Sequence, residues 1–346
     1  MPFSLVNHRS SPGVFAATAL LTALAIIAAY AGAVYGVRGT QRGGNSFLVS
    51  LVNVKEEHAS ERRGRRLLIV GGSSGLLGIR AVEMERQVGL PTVNLSLHGG
   101  LGPNYILYVA SRIARPGDVV LLSIEYPLFV GDTLVNDPAT LTSWSRGDGY
   151  ETTLDWMHRL DFMRGLQIDY VLDGWDVLMR WRHPPIPIGR GWPIQLVNKW
   201  GDFIVTSPDA GVVADRNRNL DEDRRKMKER EPPRLDAMAP NLLAIRDSIR
   251  AMQARGVTLL ATWPNIANMQ PYTDYFKFLR TQIRQWYEHQ GVVFIAPADG
   301  GLIAPSELYD TPFHPGGAAA TARTRVLSTA LCQQTTICVT GADSTD

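Results

Sequence analysis

Residues Val14 to Val37, VFAATALLTALAIIAAYAGAVYGV, carry no charge over 24 consecutive positions. At 1.5 Å rise per residue, about 20 residues of helix cross the ~30 Å hydrocarbon core of a bilayer. A soluble domain has no ordinary place for a helix this long that is apolar on every face. The run is therefore expected to anchor the chain as a single-pass membrane helix. The competing reading is a cleavable export signal, with Ala31-Gly32-Ala33 as a small-x-small cleavage site. Arg9 precedes the run and Arg38 and Arg42 follow it, so charge does not decide which side carries the rest of the chain. Residues 1–13 read as an N-terminal tail and 38–65 as a polar tether containing Gly43-Gly44-Asn45. The basic run Arg62-Arg63-Gly64-Arg65-Arg66 reads as a solvated approach to the first strand, with some attraction to lipid headgroups.

The remaining chain alternates short apolar runs with longer helical stretches. Leu67 to Val70, Thr92 to Leu97, Asp118 to Ile124, Gly256 to Thr262 and Gly291 to Ala296 read as five strands. Continuous apolar runs such as Leu67-Leu68-Ile69-Val70 suit strands covered on both faces, as in a parallel sheet. Helices are expected over 75–88, 103–114, 236–254, 270–289 and from Gly317 to about Leu331. Strands joined by helical crossovers predict a three-layer α/β/α sandwich with a mainly parallel, five-stranded, flavodoxin-like sheet in the order 2-1-3-4-5. Residues 66–331 form that domain, and 332–346 form a C-terminal tail. An insertion, 127–235, separates the third and fourth strands and holds six of the eight tryptophans, together with the turn His183-Pro184-Pro185-Ile186-Pro187. It reads as a lid near the carboxyl ends of the strands. Its aromatic rings are either core or platforms for sugar rings. The mixed-charge stretch Asp215 to Arg230 reads as a solvated helix or loop.

Lys plus Arg is 35 against 33 for Asp plus Glu. That near balance argues against a dedicated nucleic-acid binder. Two cysteines cannot build a disulfide scaffold or a four-thiolate zinc site. Cys332 and Cys338 either pair in an oxidising compartment or remain thiols.

Chemistry-bearing residues gather at three predicted strand ends. After the first strand comes Gly71-Gly72-Ser73-Ser74-Gly75-Leu76-Leu77-Gly78, a turn that presents Ser73 at a helix start. There its hydroxyl is exposed and the backbone N–H groups are free to meet an oxyanion. The turn lacks the Gly-Lys-Ser/Thr ending of a Walker loop, and no acidic residue closes the second strand to hold a ribose. After the second strand comes Asn94-Leu95-Ser96-Leu97-His98-Gly99-Gly100, where the Gly99 N–H is a second oxyanion donor. His98 is either structural or in contact with substrate. After the fifth strand, Asp310-Thr311-Pro312-Phe313-His314 places a carboxylate and an imidazole on one loop. A serine hydroxyl needs a neutral imidazole to take its proton, and the imidazole needs an orienting partner. Ser73, His314 and Asp310 are thus the candidate triad.

These blocks resemble the SGNH/GDSL hydrolase superfamily, in its membrane-anchored envelope type. Gly71-Gly72-Ser73 occupies the place of the Gly-Asp-Ser block, with Gly for Asp. Asn94 and Gly99 match the second block, and Asp310 and His314 match the last, one residue further apart than in the family. The third block's Gly-x-Asn-Asp is replaced by Ser123-Ile124-Glu125-Tyr126-Pro127, which makes Glu125 and Tyr126 candidate substrate contacts. Asn136-Asp137 carries the right letters too far along the chain. The resemblance implies a serine-dependent O-acyl (acetyl) esterase acting on an exported polysaccharide such as alginate or cellulose, by an acyl-enzyme cycle that needs no metal or cofactor. The alternatives are an O-acetyltransferase using the same residues, and a silent glycan-binding or scaffold subunit. The partners implied are an acylated polysaccharide, the bacterial inner membrane and polysaccharide synthase or secretion proteins, with the domain in the periplasm, whether anchored or released there by signal cleavage.

Overall fold

The computed structural model describes residues 12–36, 38–39, 46–166, 193–205 and 208–339. Five strands form one sheet: β1 (Leu67–Gly71), β2 (Thr92–Asn94), β3 (Val119–Ser123), β4 (Thr258–Thr262) and β6 (Val293–Ile295). Their spatial order is β2-β1-β3-β4-β6, and every pairing is parallel. This is the expected order. A separate two-stranded ribbon pairs β5 (Ile266–Ala267) with β7 (Leu302–Ile303).

The strand residues are apolar without alternation because both faces of the sheet are covered. Leu68, Val70, Val120, Leu122, Leu259 and Ala261 point into one core, and Leu67, Ile69, Val119, Leu121, Leu260 and Ile295 into the other. The first core is closed by the helices Gly102–Ile113, Pro240–Ala254 and Tyr272–His289. The second is closed by Ala81–Val88 and Gly317–Gln334. The helix expected over 75–88 is two helices, Ser73–Gly78 and Ala81–Val88, parted at the extended residues Ile79 and Arg80. The second strand stops at Asn94, whose side chain leaves the ladder pattern to bond backbone: Nδ2 donates to the carbonyls of Gly75 and Ile79, and Oδ1 accepts from the Ser96 N–H.

The stretch read as a tether contains the helix Ser46–Glu61, with Val49, Leu51, Val52 and Ala59 buried in the domain. Sequence reasoning missed it because its apolar face is short and interrupted by Lys55. That lysine is fully buried, and its Nζ donates to the carbonyls of Asn94 (2.6 Å) and Gly201 (2.7 Å). The basic run is not solvated throughout either. Arg66 is fully buried; its Nε donates to Asp118 and its guanidinium also reaches the carbonyls of Ala59 and Ile113. A buried guanidinium demands such complete pairing, and the partner lies on a turn that sequence proximity does not show.

The helix Pro12–Gly36 is long and apolar enough to cross a membrane. Its last turns dock on the insertion: the Trp144 indole N–H donates to the Val34 carbonyl at 2.9 Å, the Tyr35 ring meets Trp144 edge-on, and Arg38 pairs with Glu151. Trp144 is thus a core residue rather than a sugar platform. Trp175, Trp181, Trp192 and the Pro-rich turn lie outside the described residues. The last helix runs to Gln334, beyond the expected end near Leu331, so Cys332 lies in its final turn and forms a disulfide with Cys338 past its end; there the Val339 N–H donates to the Val88 carbonyl.

Candidate active site

Ser73 is the first residue of the helix Ser73–Gly78, entered from β1 through Gly72. A first helical residue has no intrahelical acceptor for its N–H, so this amide faces outward beside its own hydroxyl. Three contacts hold the turn. The Glu125 carboxylate, just past β3, accepts the N–H of Gly72 at 2.9 Å and of Ser74 at 2.7 Å. Asn265, after β4, donates its backbone N–H to Ser74 Oγ at 2.8 Å and its side-chain amide to the Ser74 carbonyl at 2.9 Å. Arg323 of the last helix donates to Asn265 Oδ1 at 3.2 Å. Residues on each side of Ser73 are therefore gripped, while Ser73 itself stays half-buried at the cleft.

Gly72 has a steric reason to be glycine. A Cβ there would lie 2.4 Å from one Glu125 carboxylate oxygen and 2.5 Å from the other. The space beside Ser73 that a side chain at 72 would take is filled by an acidic group from another strand end. Burial raises the Glu125 pKa above the usual carboxylate range, and the N–H groups of Ser74 and Gly72 and the nearby His314 oppose that rise. Glu125 thus sits behind the turn rather than in the cleft. Tyr126 is not a cleft residue: it is fully buried and stacks on Phe276 at 5.1 Å between ring centroids.

Gly99 opens the short turn Gly99–Leu101 after the second strand. A Cβ built on it would lie 3.8 Å from Ser73 Oγ, which places this backbone directly across from the hydroxyl. His98 caps the same turn, its Nδ1 accepting the Gly100 N–H at 3.0 Å. Desolvation of its ring and repulsion from His314 lower the His98 pKa, so His98 stands within electrostatic reach of the imidazole.

His314 is nearly buried at 7% exposure. It is held on a pinched loop: Leu308 and Pro315 form an antiparallel bridge, the Tyr309 N–H donates to the His314 carbonyl at 2.7 Å, and the Gly316 N–H donates to the Glu307 carbonyl at 2.7 Å. The pinch brings Asp310 Oδ1 to 2.6 Å from His314 Nδ1. An ionised carboxylate can only accept, so this bond calls for the ring proton on Nδ1. The extra residue between Asp310 and His314 is absorbed by the loop.

Ser73 and His314 line one open cleft of about 370 Å³, with Thr311, Pro312 and Phe313 on one side and Asn219, Glu222, Asp223 and Lys226 on the other. These last four lie on the helix Ala210–Glu229, inside the mixed-charge stretch read as solvated. The helix is fixed in place by Asn219 donating to the Asp310 carbonyl, Arg216 donating to the Leu308 carbonyl, and Tyr272 donating to Asp223. The spacing of 219, 222, 223 and 226 on one helical face was the available signal, but nothing in the sequence says what that face meets. Among the described residues, no group of three or more His, Cys, Asp and Glu could hold a metal ion.

The five residues Ser73, Gly99, His98, Asp310 and His314 are thus brought to one rim of the sheet, Glu125 stands behind them, and Tyr126 belongs to the core. Comparison with protein-family models, curated proteins and solved structures finds no match to this chain.

Proposed function

We propose that this protein is a serine-dependent O-acyl esterase or acyltransferase of SGNH type, held at the membrane by its N-terminal helix and acting on an acylated exported polysaccharide. The observation that carries the reading is the cleft shared by Ser73 and His314, with Asp310 at 2.6 Å from His314 Nδ1. In the proposed cycle His314 Nε2 takes the Ser73 proton as Oγ attacks the ester carbonyl, and Asp310 holds the resulting imidazolium. The N–H groups of Ser73 and Gly99 receive the oxyanion. His314 then returns its proton to the departing sugar oxygen. Water completes hydrolysis; a second sugar hydroxyl completes transfer. Both outcomes use the same residues. The polar cleft wall of Asn219, Glu222 and Lys226 suits a hydroxylated ester better than a long-chain lipid.

The test is covalent capture by a fluorophosphonate probe, which reacts with an activated serine. Labelling of the wild type, lost in Ser73→Ala, is the expected result. An unlabelled wild type that still binds acetylated polysaccharide would sink the catalytic reading and leave the scaffold role. Excess glycan acceptor separates the two enzymes: only a transferase diverts acyl groups from water.

A further inference from the structure

The insertion carries a second surface, unrelated to the cleft. The helix Trp156–Arg164 buries only Phe162, and leaves Trp156 (70%), Met157 (51%) and Leu160 (47%) exposed. At 100° per residue, 156, 157, 160 and 164 share one face of that helix, which makes the face an apolar stripe ending in Arg164. Its position relative to the N-terminal helix is fixed. The Tyr30 hydroxyl donates to the Leu166 carbonyl at 3.0 Å, two residues past the end of the exposed helix. The Trp144–Val34 bond and the Arg38–Glu151 pair fasten the next turns, and the Gly39 N–H donates to the Trp144 carbonyl at 2.9 Å.

The 25 residues of Pro12–Gly36 span about 37 Å, some 7 Å more than the ~30 Å hydrocarbon core. Counted back from Gly36, that excess covers about the last five residues, Val34 and Tyr35 among them, and Tyr30 lies about 9 Å from the helix end, just inside the hydrocarbon edge; aromatic side chains with a polar tip collect at this boundary. The contacts of Tyr30 and Val34 therefore bring the insertion to the headgroup level. We propose that the face formed by Trp156, Met157 and Leu160 lies in the headgroup–acyl boundary of the bilayer that the N-terminal helix crosses. The occupant is lipid. The face offers apolar rings and chains to the acyl boundary, and the exposed Arg164, which pairs with Asp161 on the same helix, stands at its end where it can exchange that partner for a lipid phosphate. The domain would then rest on the membrane at two points, the docked end of the spanning helix and this face, which fixes its tilt. The inference depends on the membrane reading of the N-terminal helix and is independent of the catalytic one.

The experiment uses the full chain reconstituted in phosphatidylcholine/phosphatidylglycerol vesicles. The two native cysteines are joined in a disulfide, so single cysteines can be labelled with an environment-sensitive fluorophore at Leu160→Cys, at Ile26→Cys in the spanning helix, and at Glu288→Cys, exposed on another helix. The expected result is quenching of the 160 and 26 labels by shallow lipid-borne doxyl groups, with the 288 label quenched only by aqueous iodide. A 160 label quenched by iodide alone would overturn the proposal. So would a 160 label protected from both quenchers, since protein would then cover the face. An unquenched 26 label would remove the anchor and this inference with it, while leaving fluorophosphonate labelling of Ser73 untouched.

Discussion

At the scale of single residues, the candidate site is built from a few contacts that each substitution can probe. Asp310 does not reach substrate in the proposed cycle; it fixes the His314 tautomer. Asp310→Ala is expected to lower kcat on a small acetyl ester by about 10²–10⁴-fold with little change in KM, and steady-state kinetics at fixed pH would check it. An equal effect on KM would point to a binding role instead.

Gly72→Ala forces a methyl group against the Glu125 carboxylate, which must then release the N–H groups of Gly72 and Ser74. The rate of fluorophosphonate labelling should fall at least about tenfold, in line with loss of preorganised donors; an unchanged rate would show that Glu125 has no part in holding the turn. Lys55 gives a separate, stability-based test. Burial lowers its pKa to about 7 from 10.5, with Asp202 opposing the shift. Between those values the unfolded chain holds a proton that the folded one has released, so this group makes stability rise with pH across the window, by up to about 1.4 kcal/mol per pH unit. The neutral amine still has two N–H groups for the carbonyls of Asn94 and Gly201. In chemical unfolding of the soluble domain's signal within the full chain in detergent, the stability difference between wild type and Lys55→Met should climb from pH 7 to 10. A flat difference would refute the assignment.

At the scale of elements, the site depends on loops that follow parallel strands, because all the strand ends that carry chemistry point to the same rim. Asn265 ties the loop after β4 to the Ser73 helix, and Arg323 ties that loop to the last helix through Asn265. Asn265→Ala leaves Ser74 and Arg323 with buried, unmatched polar atoms, an omission that typically costs about 1–3 kcal/mol. Its unfolding midpoint should fall accordingly. At the chain end, the disulfide closes a short loop around Ile337, so Cys332→Ser with Cys338→Ser should cost about 2 kcal/mol on the loop-entropy model, read by denaturant unfolding. The fold's own elements were largely legible: Leu67 to Val70 and Asp118 to Ile124 are apolar runs too short for helices and bounded by turn residues. The helix Ser46–Glu61 was not legible, because its burial depends on the Asn94 and Gly201 carbonyls that receive Lys55.

At the scale of the whole molecule, the Arg66–Asp118 pair closes the edge of the domain opposite the cleft, and the Trp144 contact joins the domain to the N-terminal helix. Asp118→Ala leaves a buried guanidinium without its counter-charge, held only by the carbonyls of Ala59 and Ile113, and should destabilise the domain by about 3–5 kcal/mol, whereas exposed pairs such as Arg284–Glu288 should contribute under about 1 kcal/mol. Comparing the denaturant midpoints of Asp118→Ala and Glu288→Ala would check the contrast.

The amino-acid sequence by itself determined the sheet order, the apolar N-terminal helix and the identity of the serine, histidine and carboxylate candidates. Hydrophobic runs, glycine turns and helical periodicity are local properties, and each is written in neighbouring residues. Only the tertiary structure decided that Glu125 fills the space beside Gly72, that the charged helix Ala210–Glu229 walls the cleft, and that Tyr126 packs in the core. Those outcomes turn on which surfaces distant segments present to one another, and a side chain's role is set by the neighbour it meets rather than by the residues on either side of it.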